Sequence, residues 1–121
     1  MLVEDEFALI KITRRMLENM GFDVEAFSAA YQAIEWAESC ADPVALLLSD
    51  VIMPDMNGAD LAKEISRLHP ETVCLFMSGH TANVIARHGV LEEGVHLIEK
   101  PFTSKDLAAK IGELIDLAKP G

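Results

Sequence analysis

Two unbroken apolar runs, residues 44–48 (Val-Ala-Leu-Leu-Leu) and 73–77 (Val-Cys-Leu-Phe-Met), constrain this chain more than any other feature. Neither alternates apolar with polar, so neither suits a strand with one wet face. Runs of this kind mark central strands of a parallel sheet, covered on both sides. Parallel neighbours cannot be joined by a tight turn and need a crossover, usually a helix. The rest of the chain supplies it: strand-like segments at 1–3, 22–27, 44–49, 72–77 and 95–98 alternate with helix-like ones at about 6–20, 28–39, 57–68, 81–88 and 103–118. Five such alternations predict an α/β fold of three layers, a doubly wound five-stranded parallel sheet. Right-handed crossovers and one switch in direction give the strand order 2-1-3-4-5. Segment 22–26 (Phe-Asp-Val-Glu-Ala) does alternate, which sends it to an edge. Leu61, Ile65 and Leu68 repeat at helical spacing, and that helix must stop before Pro70. Leu107, Ile111, Leu114 and Ala118 form a second stripe, opened by a Thr103/Asp106 capping box. Ser28 and Asn57 are the expected N-caps of the helices at 28–39 and 57–68.

At 121 residues the chain fits one domain, 1–121, with a single core. No apolar stretch approaches the ~18 residues of a membrane span. The opening Met-Leu-Val-Glu-Asp-Glu turns acidic too soon for a signal peptide, so a cytoplasmic location without membrane contact is expected. Three residues make a short central strand, which is expected of a piece that begins mid-strand within a longer polypeptide. Cys40 and Cys74 are too few for a disulfide framework and lack zinc-ligand spacing. Ten basic against 20 acidic residues leave a net charge of −10, which repels nucleic acid and favours cations or basic partners.

The chemistry lies at the strand ends. Asp50 closes one apolar run, Glu4-Asp5-Glu6 follows the first strand, Ser78 closes a third, and Lys100 a fourth. In a doubly wound sheet the carboxyl ends of the strands form the ligand-binding edge. Strands 1 and 3 are neighbours in the expected order, so Glu4, Asp5 and Asp50 converge. Two like charges ~4 Å apart cost about 4 kcal/mol at an effective dielectric near 20. A hard dication removes that cost, and Mg²⁺ suits a few carboxylates plus water and phosphate oxygens. Read alone, Glu4-Asp5-Glu6 would be a solvated helix start that complements the helix dipole. Asp50 on the adjacent strand makes the cation site the better reading. Asp50 is then a nucleophile able to accept a phosphoryl group as an acyl phosphate. Lys100 and Ser78 can contact the oxygens of that group.

These residues carry a resemblance along the entire chain. Glu4-Asp5, Asp50 within Ser-Asp-Val-Ile-Met-Pro-Asp-Met-Asn-Gly, Ser78-Gly79 and Lys100-Pro101-Phe102 resemble the receiver domain of two-component response regulators, of flavodoxin-like (CheY-like) fold. The resemblance implies that Asp50 takes a phosphoryl group from a phosphohistidine of a histidine kinase, followed by hydrolysis or onward relay to a histidine phosphotransfer protein. It implies Mg²⁺, or Mn²⁺ in its place, ligated by Asp5 and Asp50, by Glu4 through water, and by the backbone carbonyl of Ile52. Ser78 would turn toward the phosphoryl group and Lys100 would pair with it. A cis bond is implied between Lys100 and Pro101. Gly58 fits the same pattern, and Gly79 would leave room for the donor. Leu9 stands where receivers dock the kinase's helical bundle. Such a domain assists its own phosphorylation and dephosphorylation without being a stand-alone enzyme. Residues 76–102 further resemble receivers at the C-terminus of hybrid sensor histidine kinases. The alternative is a free-standing single-domain regulator.

The chain departs from the family in places. Leu97 stands where receivers often carry an aromatic switch, so signalling through that face lacks the usual device. Ile52 and His80 flank the position of the attacking water. An apolar Ile52 hinders that water, while His80 orients it or sits at the pocket rim. His69, His80, His88 and His96 lack the pattern of a four-helix phosphotransfer bundle and read as surface residues. A haloacid-dehalogenase-like phosphatase would need a second Asp where Ile52 stands. A receiver that docks without accepting phosphate would not need the complete Asp–Ser–Lys set. A dinucleotide-binding unit would need Gly-x-Gly-x-x-Gly after the first strand.

Overall fold

The structure, a computed structural model, describes residues 1–51, 53, 55–78, 96–100 and 102–118. Strands β1 (Leu2–Val3), β2 (Ala26–Phe27), β3 (Leu46–Asp50), β4 (Val73–Ser78) and β5 (Leu97–Glu99) form one sheet in the order β2-β1-β3-β4-β5. Every pairing is parallel. Helices α1 (Phe7–Asn19), α2 (Ala30–Ser39), α3 (Gly58–Leu68) and α4 (Ser104–Ala118) are the described helices. The helix expected at 81–88, together with Gly79 and His80, lies outside the described residues.

Side-chain alternation explains why the central strands read as unbroken apolar runs. Successive residues of a strand point to opposite faces. Leu2, Leu46, Leu48, Leu75 and Met77 face one side, where they pack with Leu17 of α1 and Leu107, Ile111 and Leu114 of α4. Val3 and Leu47 face the other, against Ala30, Ala33 and Ala37 of α2 and Leu61 and Ile65 of α3. Both sides of β1 and β3 are dry, so neither has a polar phase. β2, at the edge, is two half-buried residues, shorter than the 22–27 segment expected from its alternation.

The starts of α2, α3 and α4 divide between local and borrowed caps. Asn57 accepts from the Asp60 N–H at 2.8 Å, as expected. The Thr103/Asp106 box closes reciprocally, at 3.1 and 3.0 Å. Ser28 is not the cap of α2. That helix starts one residue later, with Ala29 at its N-cap, and Ser28 donates to Gln32 instead. The Tyr31 N–H donates to the Asp55 carboxylate at 3.1 Å, an acceptor 24 residues away. His69 also departs from expectation. It is buried, and its Nε2 lies 3.1 Å from the Ala37 carbonyl, joining the ends of α3 and α2.

Gly58, first residue of α3, lets that helix approach the end of β3. A Cβ there would collide with the Asp50 carbonyl and meet the Phe76 ring at 3.0 Å. Alanine is otherwise the better helix former by about 1 kcal/mol. Gly58→Ala is therefore expected to destabilise the domain despite its higher propensity, and urea unfolding gives the sign directly.

Candidate functional site

The carboxyl edge of the sheet gathers the chemistry. β1 ends at Val3, so Glu4 and Asp5 emerge at its tip, while Asp50 is the last residue of neighbouring β3. The register sets Leu2 beside Leu48 and Val3 beside Ser49, bringing Glu4 level with Asp50. One carboxylate oxygen from each of Glu4, Asp5 and Asp50 lies within 4.8 Å of the other two. Ser78 ends β4, next to β3, and is buried. Lys100 follows β5 directly, its N–H held by the Ser78 carbonyl at 2.8 Å. All five side chains expected at the phosphoryl site from sequence thus stand along one sheet edge. Leu9 lies beside them on α1, half-buried. Leu97 opens β5 and packs against the Val51–Phe76 cluster. Ile52, Gly79, His80 and Pro101, expected at the metal, the pocket rim and the cis bond, lie outside the described residues.

Burial dictates the electrostatics. Glu4 is 1 % exposed and Asp50 6 %. Lys100 Nζ lies 2.9 Å from Glu4 Oε2 and 2.5 Å from Asp50 Oδ1. The other Glu4 oxygen accepts the Glu6 N–H at 3.2 Å. Burial first, then the hydrogen bond and like charge of Glu4, push the Asp50 carboxyl up to about 8, with Lys100 pulling the other way. Burial alone would raise Glu4 as well. Its hydrogen bonds to Asp50 and Lys100 outweigh that and hold it below its ordinary value. Burial likewise opposes the charge on Lys100, yet its bonds to Asp50 and Glu4 leave it above the usual range. Asp50 thus keeps its proton up to about 8 beside the Lys100–Glu4 ion pair. Sequence reasoning found the crowding but not that Lys100 itself enters the gap. Its partners stand 96 and 50 positions back, beyond any local pattern.

The donors fit a hard cation. Three carboxylates supply oxygens only, and two ligands of one Mg²⁺ lie at most roughly 4.2 Å apart for bonds near 2.1 Å. A spread of 4.8 Å leaves only a small side-chain adjustment. No described helix is long and apolar enough to cross a membrane.

A parallel sheet in this order, with an acid nest beside a strand-end aspartate and a lysine, defines a doubly wound α/β domain with a candidate cation site at its carboxyl edge. Residues 1–112 match the response regulator receiver domain family, and the chain belongs to it. It is similar to sensor kinase CckA of Brucella abortus (strain 2308), 32% identical over 96% of this chain but only 12% of that kinase. It is also similar to the response regulator receiver protein CpdR of the same organism, 27% identical over 95% of this chain and 94% of that protein. Among solved structures, a response regulator receiver protein from Sinorhizobium medicae WSM419 superposes with a TM-score of 0.82 at 27% identity, covering 98% of this chain and 94% of that one. The receiver domain of the hybrid histidine kinase CckA does so at 0.78 and 31% identity, covering 94% and 95%. The fold is flavodoxin-like, and the chain is a receiver domain of two-component systems.

Asp50 holds in the folded state a proton that its unfolded counterpart, near 3.8, has lost, up to about 8. Folding is then disfavoured progressively as pH rises through that window. The downward shift of Glu4 acts only below its ordinary 4.5, and the upward shift of Lys100 only beyond 10.5, both outside it, whereas burial lowers the Met1 ammonium from 8.0 and so acts in the opposite sense at the upper end of the window. In chelator, the stability of the unsubstituted protein relative to Asp50→Asn should fall from about pH 4 toward about 8. Mg²⁺ affinity should climb across the same window, since the metal needs the deprotonated carboxylate. Unfolding in chelator and calorimetric titration at several pH values check both.

Proposed function

We propose that Asp50 is the phosphoacceptor of this domain and that Glu4, Asp5, Ser78 and Lys100 serve it. The observation carrying this reading is the convergence of Lys100 and two further acids on one buried strand-end aspartate. Receiver domains generally bind Mg²⁺, and here Asp5, Asp50 and, through water, Glu4 would hold it, with the Ile52 carbonyl. When bound, Mg²⁺ neutralises the carboxylates and the charge on the phosphoryl oxygens.

The residues divide the work. Asp50 must be ionised to attack, so its proton has to leave. Lys100 stands within charge-assisted hydrogen-bonding distance of Asp50 and can shift from that carboxylate to a phosphoryl oxygen at the same position. Ser78, one strand over, supplies a hydroxyl for another oxygen. Glu4, fixed by the Glu6 N–H, keeps a negative charge that retains Lys100 locally. Gly79 would open the donor's approach, while His80 and Ile52 would tune loss of the phosphoryl group. Pro101 and Leu97 would shape the response to it.

The partners of receiver domains are kinases and phosphotransfer proteins. For this chain the donor would be a phosphohistidine on a histidine kinase, with relay to a histidine phosphotransfer protein as the further step. A groove of about 440 Å³ supports Leu9 as a docking residue. It runs from Glu4 and Lys100 past Leu9, Ile12 and Met16 to Phe102. Ile12 stays 54% exposed on the same helix. The domain spans 1–121, works in the cytoplasm without touching nucleic acid, and aids its own phosphorylation and dephosphorylation without being a stand-alone enzyme. Similarity to a sensor kinase favours a parent hybrid histidine kinase. The near-complete coverage of CpdR favours the second reading, a free-standing regulator.

With Mg²⁺ and a small phosphodonor, mass spectrometry of the intact domain should find one added phosphoryl group, and none on Asp50→Asn. Equal labelling of the Asn variant would remove Asp50 from this role. Ile12→Gln should slow phosphotransfer from an autophosphorylated kinase about tenfold, in the range of an interface hot spot. Labelling by the small donor should stay unchanged.

A further inference from the structure

Helix α2 begins without a cap of its own. Ala29 at the N-cap offers no side-chain acceptor. The first N–H groups of a helix have no partner within it, and an anion there also meets the positive end of the helix dipole. Asp55 fills this place, its Oδ2 accepting the Tyr31 N–H at 3.1 Å. Asp55 lies on the connection from β3 to α3, five positions beyond the proposed phosphoacceptor.

The same connection also shares a hydrophobic cluster with α2. Met53 is buried in the cluster formed with Ala30 and Ala33, and Met56 packs against that cluster. Its two ends are joined by the Gly58 N–H donating to the Val51 carbonyl at 2.6 Å. The segment leaving Asp50 thus shares a packed cluster with α2, and among the described residues Asp55 ties it by a hydrogen bond to the first turn of that helix.

We infer that Asp55 is a positioning residue for the phosphoryl site: by capping α2 it fixes the β3–α3 connection, and with it the set of Asp50 and its metal ligands. This rests on the reading of Asp50 as a Mg²⁺-dependent phosphoacceptor. Coupling of this kind runs both ways, so the site also senses the position of α2.

The test uses the full chain with Mg²⁺ as titrant, and amide hydrogen exchange at Tyr31 in metal-free protein. Asp55→Ala should quicken exchange of the Tyr31 N–H and weaken Mg²⁺ binding about tenfold, the usual effect of losing an outer support of a metal site. Asp55→Asn keeps an acceptor oxygen without the charge and should restore both. Faster exchange in Asp55→Ala with unaltered Mg²⁺ affinity would reduce Asp55 to a helix cap and overturn the inference. Equal loss of affinity in Asp55→Asn would overturn it too, since remote charge would then suffice. Absence of Mg²⁺ binding by the unsubstituted chain would strike the phosphoacceptor reading itself.

Discussion

One lysine standing between two buried carboxylates sets the terms for the rest of this domain. Isolated acids withdrawn from water neutralise themselves by taking up protons. Here Lys100 reaches both Glu4 and Asp50, and the proton kept by Asp50 brings the trio close to neutrality. The sheet can therefore end in charged groups without a metal. The arrangement has a cost that function can use. A dication held by these acids would replace the proton, and a phosphoryl group on the proposed acceptor would give the ammonium a new counter-ion. Each would exchange one neutralising partner for another.

The sheet makes this exchange local. β1 and β3 are apolar on both faces, with Leu2, Val3, Leu47 and Leu48 fully buried. Strands buried in this way fix the register of whatever follows them, since a one-residue slip would turn every side chain to the wrong face. Glu4 and Asp50 are next to such strands and inherit their position. Gly58 adds the close approach of α3 behind Asp50, leaving little room for its backbone to shift.

What could be read from the sequence follows from the range of each interaction. Unbroken runs announced β3 and β4, and their order followed from chirality and crossover rules. The Thr103/Asp106 box and the Asn57 cap were legible because donor and acceptor lie three positions apart. The acids, Ser78 and Lys100 were legible as a set because each closes a strand. The misjudged features depend on distant partners. Ser28 carries a good capping side chain, but α2 starts beyond it and takes its acceptor from Asp55. His69 reads as a surface residue because it lacks the phosphotransfer-bundle pattern; the Ala37 carbonyl, 32 residues back, lets it be buried. The position of Lys100 between the acids was hidden for the same reason.

The sole tryptophan of the chain gives α2 a voice of its own. Trp36 sits on that helix with its ring centroid 5.9 Å from Phe27 of the edge strand, the two planes inclined at 49°. Indole emission responds to such an aromatic neighbour and to the wetness around it. Intrinsic fluorescence therefore reports how the second helix rests on the outermost strand, and Trp36 is linked to the strands that carry the acids through the packed cluster it lies against.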